Sequence, residues 1–258
     1  MSQLKGKTAL VTGSTSGIGL AIAIGLAKQG ANIMVNGFGE KDAAIAAIKA
    51  CGVEVDYHGA DMSKPVEIED LIAQTEKRFG SLDILINNAG IQHTASVEDF
   101  PADKWESIIA INLSSAFYTS HHALPGMKRR NWGRIINIAS VHGLVGSIQK
   151  SAYVAAKHGI VGLTKVTALE NAKTGITCNA ICPGWVLTPL VQKQVDARAE
   201  REGISNEAAK DALVSEKQPS GSFVSPEQLA ALAVFLCGPD ASEVRGAAWN
   251  MDGGWTAQ

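Results

Sequence analysis

Apolar positions along the chain switch repeatedly between two patterns. Short runs rich in Val, Ile, Leu and Ala cover Lys7–Thr12, Ala31–Asn36, Val53–His58, Leu82–Asn87, Arg134–Ser140, Ile176–Cys182 and Gly246–Met251. They read as strands, several of them buried on both faces. Between them, apolar residues recur at helical spacing over Gly17–Gln29, Glu40–Ala50, Lys64–Phe79, Asp103–Arg130 and Ser151–Ala172. Pro65 sits in the first turn of the third helix, where its missing N–H costs nothing. Seven strand-like segments with intervening helices predict a doubly wound, mainly parallel α/β sheet covered by helices on both faces. No repeat or low-complexity linker divides the chain, so residues 1–258 read as one domain. The irregular stretch Pro189–Pro226 is polar and rich in Glu, Lys, Gln and Ala. Its roughly 37 residues are too few for a second domain and predict a mobile helical lid.

Composition narrows the class. Charged residues make up 19% of the 258 positions, and 26 are glycine, against usual values of about 25% and about 7%. A net charge of −2, with no basic block, argues against a nucleic-acid partner. Thr8–Ala27 and Ser107–Met127 lack Asp, Glu, Lys and Arg, yet both are too polar inside to span a bilayer. Cys51, Cys178, Cys182 and Cys237 form no C-x-x-C pair; Cys178 and Cys182 fall on one face of a strand as small buried residues. No secretory signal precedes the first strand, so reduced thiols and a cytoplasmic location are expected. His93, His121, His122 and His158 have no carboxylate or cysteine at metal-ligand spacing, and no metal is expected.

The turn after the first strand reads T-G-S-T-S-G-I-G, with Gly13, Gly17 and Gly19. Glycines let the backbone approach a pyrophosphate, and the helix that follows presents free N–H groups to it. Set in a βαβ unit, the turn predicts a Rossmann-type nucleotide site. The second strand ends in Asn36-Gly37-Phe38-Gly39. There is no Asp there for a ribose hydroxyl and no Arg for a 2′-phosphate, and Lys41 reads as a solvated helix residue; NAD is favoured over NADP. Asp61, after the third strand, is either an acceptor for the adenine amino group or a helix cap.

A second constellation carries chemistry. Ser140 ends a strand, Tyr153 follows thirteen residues later, and Lys157 lies one helical turn beyond it on the same face. A free phenol titrates near 10, too high for a base at neutral pH; a neighbouring ammonium is expected to favour the phenolate, as is the positive nicotinamide ring of an oxidised cofactor. A serine hydroxyl facing the same point holds a substrate oxygen. This set suits hydride transfer between a secondary alcohol and a nicotinamide, with tyrosine as general acid/base.

On these residues the chain resembles the short-chain dehydrogenase/reductase family along essentially its whole length. T-G-S-T-S-G-I-G, Asn87-Asn88-Ala89-Gly90, Asn112, the Ser140/Tyr153/Lys157 set and Pro183-Gly184 all match family motifs. The resemblance implies that Asn112 helps hold a water relaying protons from Lys157, and that Thr188 meets the nicotinamide carboxamide. It also implies cofactor contacts from Thr15, Ser16, Ile18, Phe38, Met62, Asn88, Ala89, Gly90, Pro183 and Val186. A homotetramer is implied too, with the two long helices at one interface; the small residues Ala155, Ala156, Gly159 and Gly162 agree with a buried face.

Around the expected pocket, Gln92, His142, Lys150 and Gln194 are donors able to converge on a carboxylate, and Trp185 and Trp255 offer apolar walls. Each has a plainer reading: a solvated loop lysine, a structural histidine, a helix-surface glutamine, core tryptophan. The stretches N-G-F-G, N-N-A-G-I-Q-H-T-A, K-S-A-Y-V-A-A-K-H-G, N-A-I-C-P-G-W-V, S-E-K-Q-P-S and D-G-G-W-T-A resemble a branch of the family whose substrate is a four-carbon hydroxy acid. That closer resemblance implies the pair D-3-hydroxybutyrate and acetoacetate, with Gln92, His142, Lys150 and Gln194 on the carboxylate. A 3-oxoacyl-thioester reductase using NADPH is the alternative within the family, and a non-catalytic nucleotide binder the alternative outside it. Leu187, where an arginine is common, and Trp249 in the last strand depart from the pattern, with possible effects on subunit packing or cofactor affinity.

Overall fold

The computed structural model describes residues 3–257. Its strands are β1 (Thr8–Val11), β2 (Asn32–Asn36), β3 (Val55–His58), β4 (Ile84–Asn87), β5 (Gly133–Ile138), β6 (Ile176–Pro183) and β7 (Ala248–Met251). They form one parallel sheet in the order β3-β2-β1-β4-β5-β6-β7. The order reverses between β1 and β4, which opens a crevice beyond their carboxyl ends. This is the doubly wound sheet expected from the alternation of short apolar runs and helices.

Helices α1 (Gly17–Lys28), α2 (Lys41–Lys49) and α3 (Pro65–Phe79) follow the first three strands. α4 (Ala102–Ile109) and α5 (Ser115–Arg130) follow β4; α6 (Ser151–Glu170) follows β5; α7 (Pro189–Glu202), α8 (Asn206–Ser215) and α9 (Pro226–Cys237) follow β6. One face of the sheet packs Ile22 and Leu26 of α1 against Leu229 and Leu236 of α9. The opposite face packs Ile68 and Leu71 of α3 with Ala123 and Met127 of α5. Truncating a fully buried leucine in either layer to alanine would cost about 2–5 kcal/mol.

Three differences from the periodicity reading have physical causes. The segment expected as one helix over Asp103–Arg130 contains a π-helical stretch, Ala110–Ser114, between α4 and α5. The wider turn brings Asn112 to the chain after β4, where its Oδ1 accepts from the Ile91 N–H (2.9 Å) and its Nδ2 donates to the Ile91 carbonyl (2.9 Å). α9, absent from the predicted elements, opens with Pro226 and a Ser225–Gln228 capping box. The small residues of α6 do not form one outward face. Ala156 is buried, and a Cβ on Gly159 would press on Leu113 of the same chain.

The stretch expected as a lid consists of α7, α8 and the turn leading to α9. α7 and α8 share a small core of Val195, Ala199 and Ala209. Both ends are tied at their base by a bridge between Val186 and Val224.

Candidate active site

The glycine turn is built by side chains from β1 and the end of β4. The Asn88 amide donates to the carbonyls of Thr12 (2.8 Å) and Gly13 (3.0 Å). The Thr12 hydroxyl accepts from the N–H groups of Asn88 (2.9 Å) and Ala89 (3.0 Å). Gly13 adopts φ +63°, and a Cβ on Gly19 would run into the Gly13 carbonyl. Only glycine fits both demands. Ser16 caps α1 with extended backbone, its hydroxyl makes no capping bond, and no acidic residue occupies the first turn. Free N–H groups, an available hydroxyl and the positive end of the helix dipole suit a pyrophosphate.

Beyond the turn lies a cavity of about 490 Å³ bordered by Gly37, Phe38, Asp61, Met62, Ala89 and Gly90. Among the described residues, no lysine or arginine lines it. The Thr15 hydroxyl donates to the Phe38 carbonyl (2.8 Å), and the Tyr57 hydroxyl to the Gly37 carbonyl (2.8 Å), which fixes this loop. The Asn36 amide is engaged with the carbonyls of His58 and Ala60, both at 3.0 Å. Lys41 places its ammonium 4.5 Å above the Tyr57 ring. Asp61 forms a turn ahead of α3 rather than a cap, since the N-cap is Lys64 without a side-chain capping bond; one Asp61 oxygen accepts from the Ser63 N–H (2.9 Å) and hydroxyl (2.8 Å), bonds that hold the carboxyl below its usual range. Its other oxygen lies 3.9 Å from the Lys64 ammonium.

The second half of the crevice is a cleft with about 850 Å³ of empty space, where Ser140, Tyr153 and Lys157 meet. Ser140 stands just past β5, and its hydroxyl accepts from the His142 N–H at 3.2 Å. On α6, Lys157 is buried; its Nζ donates to the Ile138 carbonyl (2.7 Å) and lies 5.5 Å from the Tyr153 ring centroid. Burial pushes the Lys157 ammonium down to about 8, the Cys182 thiol acting weakly the other way. Tyr153 differs from the expectation. Burial raises its phenol above the usual value, and only the neighbouring Ser140 hydroxyl opposes the shift. Lys157, itself desolvated and turned toward the Ile138 carbonyl, is not among the groups that shift the phenol.

A charged corner adjoins these groups. Lys150 Nζ lies 3.4 Å from His142 Nε2 and 5.2 Å from the Trp185 ring centroid. Trp255 meets His142 edge-on at 5.3 Å and Trp185 at 6.0 Å. Burial, followed by the Lys150 charge, pushes His142 down to about 4, so its ring is neutral at pH 7. Burial also lowers the Lys150 ammonium. Two buried ring nitrogens, His142 Nδ1 and Trp185 Nε1, have no hydrogen-bond partner among the described residues. Gln92 borders the cleft from the chain after β4 and Gln194 from α7, while Ile18, Pro183, Val186 and Thr188 line its side toward the glycine turn. Thr188 caps α7, accepting from the Val191 N–H at 3.4 Å.

The family model described as short chain dehydrogenase matches residues 7–199. The chain belongs to the short-chain dehydrogenase family. This dehydrogenase is 70% identical over 257 residues to the D-beta-hydroxybutyrate dehydrogenase of Cupriavidus necator, covering 99% of this chain and 100% of that one. It is 55% identical over 256 residues to the D-beta-hydroxybutyrate dehydrogenase of Rhizobium meliloti, covering 98% and 99%. Among solved structures it is similar to a variant of the actinorhodin polyketide ketoreductase with NADPH, at TM-score 0.92 and 38% identity, covering 98% of each chain.

Several residues of the dehydrogenase's site have roles that no motif spelled out. Thr12 and Tyr57 act on main-chain groups of the cofactor half. Asp252 accepts from the N–H groups of Gly254 (3.1 Å) and Thr256 (3.0 Å) and so sets the turn bearing Trp255. A buried glutamine, Gln218, ties the base of the α7–α8 unit to the Trp185 main chain. Of the two departures, Leu187 lies part-exposed beside Thr188, and Trp249 meets Phe235 edge-on at 6.0 Å.

Proposed function

We propose that this dehydrogenase oxidises D-3-hydroxybutyrate to acetoacetate, reversibly, using NAD. The observation that carries the substrate reading is the ammonium of Lys150 beside a neutral His142, in the same cleft as Tyr153 and with no carboxylate paired to it. A small acid whose hydroxyl faces Ser140 and Tyr153 places its carboxylate on that ammonium, with Gln92 and Gln194 as further donors. The names of the two bacterial relatives agree with this substrate.

The Tyr153 oxygen takes the proton from the substrate hydroxyl, and Ser140 holds that oxygen. Lys157 provides the buried positive charge behind the phenol. The Asn112 side chain is engaged with Ile91, which leaves its main chain for the proton relay implied by the family resemblance. A bound nicotinamide would supply the hydride acceptor and, in its oxidised form, a positive ring that favours the Tyr153 phenolate. The crevice fits such a cofactor through its glycine turn, the free Ser16 hydroxyl and the glycine-walled cavity beyond. NAD rather than NADP is supported by the lack of any cation on that cavity and by the placement of Lys41 over Tyr57. α7 and α8 serve as the lid: Gln194 closes on the carboxylate and water is excluded. A cytoplasmic homotetramer completes the reading, with Trp105 of α4, Phe117 of α5 and Leu169 of α6 offering exposed apolar surface.

The test is NADH formation from the D and L isomers of 3-hydroxybutyrate, with NADP as alternative oxidant and Tyr153→Phe alongside. Turnover of the D isomer with NAD is expected, with a loss of at least about a hundredfold in kcat for Tyr153→Phe. No turnover of either isomer overturns the substrate; equal rates with NADP overturn the cofactor choice; full activity of Tyr153→Phe overturns the mechanism.

A further inference from the structure

Gln218 lies in the S-E-K-Q-P-S stretch at the end of α8 and touches none of the groups assigned to chemistry. It is nevertheless among the most buried polar residues, 1% exposed. Both ends of its amide are engaged. Oε1 accepts the Trp185 N–H, and Nε2 donates to the Ser222 carbonyl at 2.6 Å. Its own N–H donates to the Val214 carbonyl at 2.8 Å, which fastens it to the end of α8. Glycine at two neighbouring positions makes room for it: a Cβ on Gly184 would run into the Gln218 amide oxygen, and one on Gly253 would lie 3.1 Å from its nitrogen.

Trp185 is therefore held on both sides by the chain that returns from the lid. Gln218 takes its N–H, and the Val224 N–H donates to its carbonyl at 2.9 Å. The Trp185 ring forms the wall over Lys150 and packs against Trp255. The turn carrying Trp255 is joined to the same region, since the Ser220 N–H donates to the Gly253 carbonyl at 3.0 Å.

We propose that Gln218 is a positioning residue for substrate recognition: through the Trp185 main chain it sets the wall of the carboxylate corner. It couples the base of the lid to that wall without contacting the substrate. A buried amide with both ends satisfied is suited to this, because any displacement leaves a polar group unpaired. The inference rests on the proposed hydroxy-acid substrate.

The experiment is steady-state kinetics of Gln218→Met, similar in volume and unable to form either bond, in wild-type and Trp185→Ala backgrounds. Alone, the substitution should raise KM for D-3-hydroxybutyrate about tenfold while KM for NAD stays within about twofold. In the Trp185→Ala background it should add no more than about twofold, since the wall it sets is already gone. An unchanged KM for the acid, an equal rise for NAD, or the same tenfold effect without Trp185 overturns the proposal. Should Gln218→Met not fold, Gln218→Glu decides: it keeps the acceptor for the Trp185 N–H and should leave KM within about threefold of wild type. A rise of tenfold or more there overturns the link to Trp185. Absence of wild-type turnover would instead overturn the substrate reading, which separates the two failures.

Discussion

Replacing Lys150 by methionine isolates the charge on which the substrate reading depends. Methionine keeps an unbranched side chain and removes the ammonium together with its contacts to the Trp185 ring and His142. A unit charge pair about 4 Å apart is worth about 4 kcal/mol at the effective dielectric of a protein site. Part of that is cancelled by stripping water from the acid. Less is cancelled on the lysine side, because burial already disfavours its ammonium in the folded protein. A net loss of about 2–3 kcal/mol is expected, or roughly 30- to 150-fold in kcat/KM. The group meets the substrate away from the reacting carbon, so most of the loss should fall on KM. Initial rates against D-3-hydroxybutyrate at saturating NAD measure it, with an uncharged secondary alcohol of similar size as control. The control should be unaffected by the substitution. Rising pH should mimic the substitution in the wild type, raising KM at a lower pH than an ordinary lysine would. An unchanged KM for the acid, or equal losses for acid and alcohol, would refute Lys150 as the carboxylate's partner.

Two further outcomes follow from groups around the chemistry. Asn88→Ala removes both amide bonds to the glycine turn and should raise KM for NAD about tenfold, with KM for the acid much less affected, as kinetics varying each substrate in turn will show. The neutral His142 makes the fold acid-sensitive: with a value of about 4 in the folded protein against 6.5 in the unfolded chain, its contribution is complete above pH 6.5 and is lost as pH falls toward 4. By pH 5 that amounts to roughly 2 kcal/mol. Urea unfolding at pH 7.5 and 5.0 should show this drop in the wild type and a shallower one in His142→Gln; parallel drops would assign the acid sensitivity to other groups.

What the sequence made legible depended on how local each signal is. Buried parallel strands announce themselves as apolar runs, so the sheet could be read, and a glycine turn after β1 located the cofactor half of the crevice. Asn112 could be picked out by motif, yet the π turn that aims it at Ile91 could not. One additional residue in a helical turn hardly disturbs a 3.6-residue pattern. Gln218 and Asp252 lie in stretches that carry the closer resemblance, yet their roles were not legible, for a different reason. Each acts on main-chain groups brought near only by the return of the chain after the lid, and a main-chain partner leaves no residue type to look for. The direction of the Tyr153 shift was equally out of reach, because proximity of a lysine along one helix face says nothing of how far both groups are desolvated.

That last point bears on how the two lysines divide their work. Lys157 is buried against the Ile138 carbonyl, and its charge costs the folded protein enough to bring it to about 8. It is therefore a poor partner for a mobile anion and a good fixed charge behind Tyr153. Lys150, half-buried beside a ring that burial keeps neutral, is the reverse. Were His142 protonated, two adjacent cations would compete for the same donors' positions and the corner would hold a fixed positive pair in the absence of acid. With His142 neutral, its unprotonated ring nitrogen can accept from Lys150 until a carboxylate arrives, and the ammonium is then free to turn to it. In the proposed mechanism, charge at the site is thus matched to two users: one cation that stays with the tyrosine, and one that answers the substrate.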